Sequence, residues 1–328
     1  MGVAFAPNGE VKIACETFGD PGSQPMLLLN GLDYQMVWWP EALCTALAQR
    51  GFQVARFDYR DSGLSTHFPA LAGGGPWRAL LAGARTSYRG EDMIEDILAV
   101  QDALGWPSAH LLGVSMGAGM AQLTALLHPG RVRTVTLVSG LPVGGSPLRM
   151  LPYLHLSAFA RLATRRYGSG RAEQERMLVD VLRATYTPAY PMDEDWARRT
   201  AAESYDRHPP DPAARQRQLA AVRAMKIPMG SLASITAPTL VIHGQADPLI
   251  RPSASRALAR AVPEARLVIY PGMGHGLPQA LWPAVLDEIS ALTSQKEHHT
   301  RSEPATRGGN PGDVPGPSNE AKRGVGAP

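Results

Sequence analysis

Cysteine is nearly absent from this chain. Two residues in 328, Cys15 and Cys44, make neither a disulfide framework nor a structural metal site, so a reducing cytoplasm is the expected compartment. Excess charge is equally scarce, with a formal net charge of only +3. The arginines are scattered, and the small cluster Arg161, Arg165, Arg166 and Arg171 reads as a solvated helix face. No nucleic-acid-reading module accompanies it, so no nucleic-acid partner is expected. No apolar run approaches membrane-spanning length, and the N-terminus lacks a basic region followed by an apolar segment. An intracellular protein without a membrane partner is the expectation. A glycine-rich dinucleotide fingerprint and a P-loop are both missing. His67, His110, His128, His155, His208 and His243 show no metal-ligand spacing. Neither cofactor nor metal is therefore implied.

What remains is a globular composition, 44% hydrophobic and 19% charged, on a chain long enough for one large α/β domain with an inserted lobe. Its organising stretch is Ala109 to Gln122. An apolar run, Leu111 to Val114, stops at Ser115, which is framed by Gly113 and Gly117. Small and apolar residues then recur at helical spacing up to the turn signal His128-Pro129-Gly130. The pattern predicts a buried strand, a sharp turn and a helix packed back on the strand. A serine at such a turn is held in a strained conformation above the sheet. The turn's amides and the helix N-terminus then face any negative charge that forms beside it. A glycine-rich packing turn would give the same pentapeptide, so the serine needs partners elsewhere.

In order along the chain, Val11 to Phe18 alternates like an antiparallel strand, and Met26 to Leu29 is a continuous run typical of a buried one. Asn30-Gly31-Leu32-Asp33 ends that strand, and the loop carries Trp38 and Trp39. A helix is predicted over Glu41 to Arg50 and a strand over Phe52 to Phe57. Residues 66–89 follow no regular pattern. Glu91 to Leu104 reads as an amphipathic helix with acids in its first turn, and Val132 to Ser139 as a strand. From 141 to 231 no strand-like run occurs, and the alanine- and arginine-rich segments predict a helical lid inserted into the sheet domain. Strands resume at Thr239 to His243 and at Arg266 to Tyr270, with a last helix over Pro278 to Thr293. The expected organisation is a core of 1–140 and 232–295, a lid of 141–231, and a disordered Gly/Pro/Ser-rich tail of 296–328.

A serine hydroxyl needs a base, and the base needs a residue to orient it. Two predicted strands after the lid supply them. The first runs into Gly244-Gln245-Ala246-Asp247-Pro248, the second into Pro271-Gly272-Met273-Gly274-His275-Gly276. Taken alone, Asp247 reads equally as a helix cap and His275 as an ordinary loop residue. The order Ser–Asp–His, each just past a predicted strand, places all three at the crevice over the C-terminal ends of a parallel sheet. The strand Val132 to Ser139 ends in Gly140-Leu141-Pro142 and offers no rival acid.

Taken together, the Ser115 pentapeptide, Asn30-Gly31-Leu32, Asp58 to Ser65, Gly244 to Pro248 and Gly272 to His275 resemble the α/β-hydrolase superfamily. Within it the likeness is to the lidded serine esterases that include aclacinomycin methylesterase, and it spans about residues 10 to 293. The resemblance implies the α/β-hydrolase fold, a mostly parallel eight-stranded sheet with helices on both faces and an inserted helical lid. It implies the catalytic triad Ser115, Asp247 and His275, with an oxyanion hole formed by the backbone N–H groups of Leu32 and Met116. It also makes Asp58, Arg60 and Asp61 a structural turn. Two departures stand out: Asn30 where many relatives carry histidine, and an unusually long stretch from 66 to 89. Trp38 and Trp39, with Tyr190 and Trp196 from the lid, are candidate substrate-binding residues for a bulky or aromatic ester, and they are candidates equally for plain lid packing. The expected activity is carboxylic ester hydrolysis on a small-molecule substrate. Perhydrolysis, aminopeptidase activity with the same triad, a non-catalytic ligand-binding role and an interaction role through the tail stay open.

Overall fold

Alternate residues of the apolar runs face opposite sides of one sheet. Leu27 and Leu29 join one core cluster, while Met26 and Leu28 join the other. That is the reason a continuous run, rather than an alternating one, marks a strand buried on both faces. In the computed structural model, which describes residues 2–69, 87–144 and 147–301, eight strands form this sheet. They are β1 (Ala4–Asn8), β2 (Val11–Phe18), β3 (Gln24–Leu29), β4 (Phe52–Phe57), β5 (Ala109–Val114), β6 (Val132–Val138), β7 (Thr239–Gly244) and β8 (Arg266–Tyr270). Their order is β1-β2-β4-β3-β5-β6-β7-β8. The first two pairings, β1 with β2 and β2 with β4, are antiparallel, and the rest are parallel.

The helices are α1 (Glu41–Gln49), α2 (Gly90–Ala103), α3 (Met116–Leu127), α4 (Pro147–Met150), α5 (Leu156–Thr164), α6 (Arg171–Arg183), α7 (Glu194–Arg207), α8 (Pro212–Ala224), α9 (Pro252–Ala261) and α10 (Trp282–Arg301). Leu43 and Leu47 of α1 and Val285 and Ile289 of α10 cover one face of the sheet. Met93 and Ile97 of α2, Met120 and Leu123 of α3 and Leu258 of α9 cover the other. Each such side chain contributes about 1.5–3 kcal/mol of burial free energy. Local signals set several starts. Asp92 accepts the Arg89 N–H ahead of α2 at 2.7 Å, Asp193 accepts the Trp196 N–H in α7 at 2.9 Å, and Asp211 accepts the Ala213 N–H in α8 at 2.8 Å. The Arg161, Arg165, Arg166 and Arg171 side chains are exposed, but they share no helix face: Arg161 is in α5, Arg171 opens α6, and Arg165 and Arg166 lie between the two.

Between β6 and β7 the described residues make helices α4 to α8 and no named strand. Three ionic or amide contacts, two buried and one part-buried, fasten this insertion to the turn after β4. Arg207 Nη2 donates to Asp58 Oδ2 at 2.6 Å, Arg217 donates twice to Asp61 at 2.8 and 2.9 Å, and Gln218 Nε2 donates to the Arg60 carbonyl at 2.9 Å. Arg60 itself pairs with Asp96 of α2 at 2.6 Å.

The structure differs from the sequence reading at both ends of the chain. Strand β1, pairing Ala4 with Cys15, was not expected. The last helix begins at Trp282 after a short 3-10 turn at Gln279–Leu281 and continues past Thr293 to Arg301, into the stretch assigned to the tail. Residues 70–86 of the irregular stretch and 302–328 of the tail lie outside the described residues.

Candidate active site

Ser115 lies between β5 and α3 with a positive φ of 56° and ψ −115°, a region that non-glycine residues rarely occupy. Its own N–H is bound to the Val138 carbonyl at 2.9 Å, and its carbonyl accepts from Ala118 and Gly119 at 3.1 and 3.3 Å. The turn is thus over-determined, and the strain is held by the surrounding lattice of bonds. Gly117 is required by contact: a Cβ there would run into the Leu29 and Asn30 carbonyls.

The register carries the other two residues to the same edge. Val114 pairs with Val138, Val138 with Ile242, and Gly244 with Tyr270, so the loops holding Ser115, Asp247 and His275 all leave the C-terminal ends of neighbouring strands. Asp247, 3% exposed, accepts the Leu249 and Ile250 N–H groups on Oδ1 at 2.8 and 2.9 Å. Its Oδ2 lies 2.7 Å from Nδ1 of His275, itself 6% exposed. A carboxylate only accepts, so Nδ1 carries the proton and Nε2 is left with a free lone pair. Burial works to raise the Asp247 pKa, but His275, the Ile250 amide and His243 outweigh it and hold the carboxyl below its usual value. The hydrogen bonds of the described residues do not include one between Ser115 Oγ and His275. Such catalytic bonds often tighten only with substrate bound.

The inserted segment fixes the histidine loop. The His275 N–H donates to the Thr185 carbonyl at 2.8 Å, and Thr187 Oγ1 donates to the Gly272 carbonyl at 2.6 Å. A Cβ on Gly274 would strike the same Thr185 carbonyl. Across the site, the loop after β3 is tied down almost completely. The Asp33 N–H donates to Gln218 Oε1 at 3.4 Å, that of Tyr34 to the Gly31 carbonyl at 3.4 Å and that of Met36 to Asp58 Oδ1 at 2.6 Å. Asn30, where histidine was the alternative, uses its Nδ2 to bind the Gln35 carbonyl at 2.8 Å. Gln35 Nε2 in turn donates to the Ser204 and His208 carbonyls of the insertion at 2.8 and 2.9 Å. The N–H groups of Leu32 and Met116 have no acceptor among the described residues. A Cβ added to Gly31 would sit 3.6 Å from the Ser115 Cβ, which puts this loop against the serine.

The aromatic candidates separate. Trp38 packs edge-on against Tyr34 at 5.5 Å and against Trp196 at 5.8 Å between ring centroids, joining the loop after β3 to α7. Tyr190 lies 3.5 Å from the position of a Cβ on Gly272, beside the histidine loop. Trp39 is buried in the core cluster that holds Leu43, Leu47 and Trp282, with Tyr190 packed against it, and so lies apart from the Trp38 cluster. The sequence reading missed Thr185, Gln35, Arg207 and Arg217. It also set aside His243, which is fully buried with Nε2 3.3 Å from Asp247 Oδ2. Its signal was its position, four residues before the acid at the end of the same predicted strand. No three His, Cys, Asp or Glu side chains converge to hold a metal ion among the described residues, and no helix among them is long and apolar enough to cross a membrane.

Two curated relatives align along nearly their whole length. Rhodomycin D methylesterase DauP of Streptomyces sp. (strain C5) is 29% identical over 314 residues, covering 87% of this chain and 95% of that protein. Rhodomycin D methylesterase DnrP of Streptomyces peucetius is 28% identical over 320 residues, covering 89% and 98%. Among solved structures, the esterase RhEst1 from Rhodococcus sp. ECU1013 superposes with a TM-score of 0.68 at 20% identity, covering 90% of this chain and 99% of that one, a likeness of fold. Residues 24–278 match the family described by the alpha/beta hydrolase fold, with which the sheet order, the strained serine turn and the strand-end loops agree. This chain belongs to the α/β-hydrolase fold family.

Proposed function

We propose that the protein is a serine ester hydrolase whose substrate is a carboxylic ester, specifically a methyl ester, of a bulky or polycyclic metabolite. The observation that carries this reading is the buried Asp247–His275 hydrogen bond of 2.7 Å at the strand ends beside the strained Ser115. Nε2 of His275 takes the Ser115 proton as Oγ attacks the ester carbonyl. The oxyanion is met by the Leu32 and Met116 N–H groups, each worth about 3 kcal/mol of transition-state stabilisation. His275 then returns the proton to the departing alcohol, leaving an acyl-serine, and water activated by the same nitrogen releases the acid. Asp247 holds the Nδ1–H tautomer and stabilises the imidazolium. The methyl-ester assignment draws on the two methylesterase relatives, and the bulk of the acyl part draws on the Tyr34, Trp38 and Trp196 cluster between the loop after β3 and the lid.

The test is a turnover screen of methyl esters of polycyclic aromatic acids beside simple aryl esters, with Ser115→Ala as control and a fluorophosphonate probe. The expected result is hydrolysis by the wild type, a single label on the Ser115 peptide, and loss of both in the variant. Turnover that survives Ser115→Ala would overturn the reading.

A further inference from the structure

His243 lies beneath the acid, on β7, and every polar atom of its ring is engaged. Nε2 is 3.0 Å from the Ile250 carbonyl and Nδ1 is 2.7 Å from Ser255 Oγ. A carbonyl only accepts, so Nε2 carries a proton. Burial, the first cause, lowers the ring's pKa and keeps it neutral, so Nδ1 is an acceptor and the Ser255 hydroxyl donates to it. The tautomer is therefore the reverse of the one read for His275. The same Nε2–H that binds Ile250 lies 3.3 Å from Asp247 Oδ2, the oxygen that faces His275.

We propose that His243 is a positioning residue for the catalytic acid, with the Ile250 carbonyl setting its tautomer and the Ser255 hydroxyl holding its ring. This rests on the assignment of Asp247 and His275 given above. The geometry does two things. The bond to the Ile250 carbonyl closes the 247–250 turn, whose Leu249 and Ile250 N–H groups hold Oδ1. The polarised N–H near Oδ2 also offsets part of the carboxylate charge. Without it, Asp247 would be more basic and less firmly oriented, which lowers the rate and moves the acidic limb of the rate profile upward. The ionisable groups facing this pair are Asp247, His275 and, from α9, Arg256. Ser255 on the same helix is fully buried, which keeps water from replacing it.

The experiment measures kcat, KM and the pH profile of kcat/KM for His243→Leu, His243→Gln and Ser255→Ala, each also in an Asp247→Asn background. His243→Leu keeps the burial and removes the donor. It should lower kcat by about threefold to tenfold, the loss of one modest hydrogen bond, with little change in KM. It should also move the acidic limb of the profile upward by roughly half a unit. Ser255→Ala should do the same more weakly. His243→Gln, whose amide N–H reaches the same place, should restore most of both. In the Asp247→Asn background none of the three should cost anything further, because the group they act through is gone. An unmoved acidic limb, or an undiminished loss in the Asp247→Asn background, would overturn the proposal, and where His243→Leu fails to fold, Ser255→Ala and His243→Gln decide it. Ser115→Ala run in parallel separates the two levels: activity surviving there sinks the triad itself, whereas a dead Ser115→Ala with an ordinary His243→Leu profile sinks only this step.

Discussion

Removing Arg217 tests whether the insertion is held on the core by buried charge. The Asp61 carboxylate is completely buried and that of its partner guanidinium nearly so, at 0% and 8% side-chain exposure. Two N–H···O bonds of 2.8 and 2.9 Å join them, and the Phe68 N–H supplies one more to Oδ1 at 2.8 Å. Replacing Arg217 by methionine fills much the same space and leaves the buried carboxylate without its cationic partner. Such an unpaired charge costs about 3–5 kcal/mol. In a domain of this size that corresponds to a fall in Tm on the order of 10 °C. The double variant Asp61→Asn/Arg217→Met carries no buried charge, keeps an acceptor for Phe68, and suits the left-handed φ of 65° at position 61, which asparagine tolerates. It should recover most of the loss, ending within about 1–2 kcal/mol of the wild type. Urea unfolding of the wild type, both single variants and the double variant measures this directly. A cost below about 1 kcal/mol for Arg217→Met, or a double variant no better than the single, would refute the argument.

Two further predictions follow from the same geometry. Trp196→Ala and Trp38→Ala should cut kcat/KM for a polycyclic methyl ester much more than for a small acetate ester, measured side by side; equal losses on both would mean the indoles only pack the insertion. Burial raises the Asp33 pKa to about 6, with Arg215 opposing, so folding favours its protonated form and stability declines as pH rises from about 4 to 6; Asp33→Asn should raise Tm at pH 7.5 and give no gain below pH 4, and no gain at pH 7.5 would refute it.

Most of the sheet was legible because central strands such as β3, β5 and β7 are largely buried and carry apolar runs, while the partly exposed β2 alternates. Strand β1, Ala4 to Asn8, escaped because it is an edge strand: Ala4 and Phe5 are exposed and Pro7 interrupts the pattern. The Ser115 turn and the two strand-end loops were legible because glycine and short polar residues mark places where backbones approach closely. Partners at long range left no local mark. Arg207 and Arg217 sit in helices that look like ordinary solvated ones, and only folding brings them 149 and 156 residues back to Asp58 and Asp61. His243 was passed over for a related reason. A histidine ending an apolar run reads as core, and its proximity to Asp247 depends on the turn at Leu249 and Ile250 closing under it.

The contacts of the insertion constrain how substrate choice can vary on this scaffold. The Thr185 carbonyl holds the His275 N–H, Gln218 holds that of Asp33 next to Leu32, and Gln35 spans from the same loop to the end of α7. The segment expected to shape the substrate pocket is therefore the one that fixes two of the groups proposed for catalysis. Displacing α6, α7 or α8 as rigid bodies to admit a larger ester would draw the histidine loop and the oxyanion loop with them, and small misplacements of reacting groups are costly in rate. Side chains that project from these helices without taking part in the ties are free of that penalty. Trp196 of α7 and Met192 just before that helix, both half-buried and packed on the Trp38 cluster, are of this kind. Met192 adapts its shape at little cost, and Trp196 presents a broad apolar face. Changes of specificity should thus arise by substitution at such positions on a fixed backbone, with Thr185, Gln35 and Gln218 left in place.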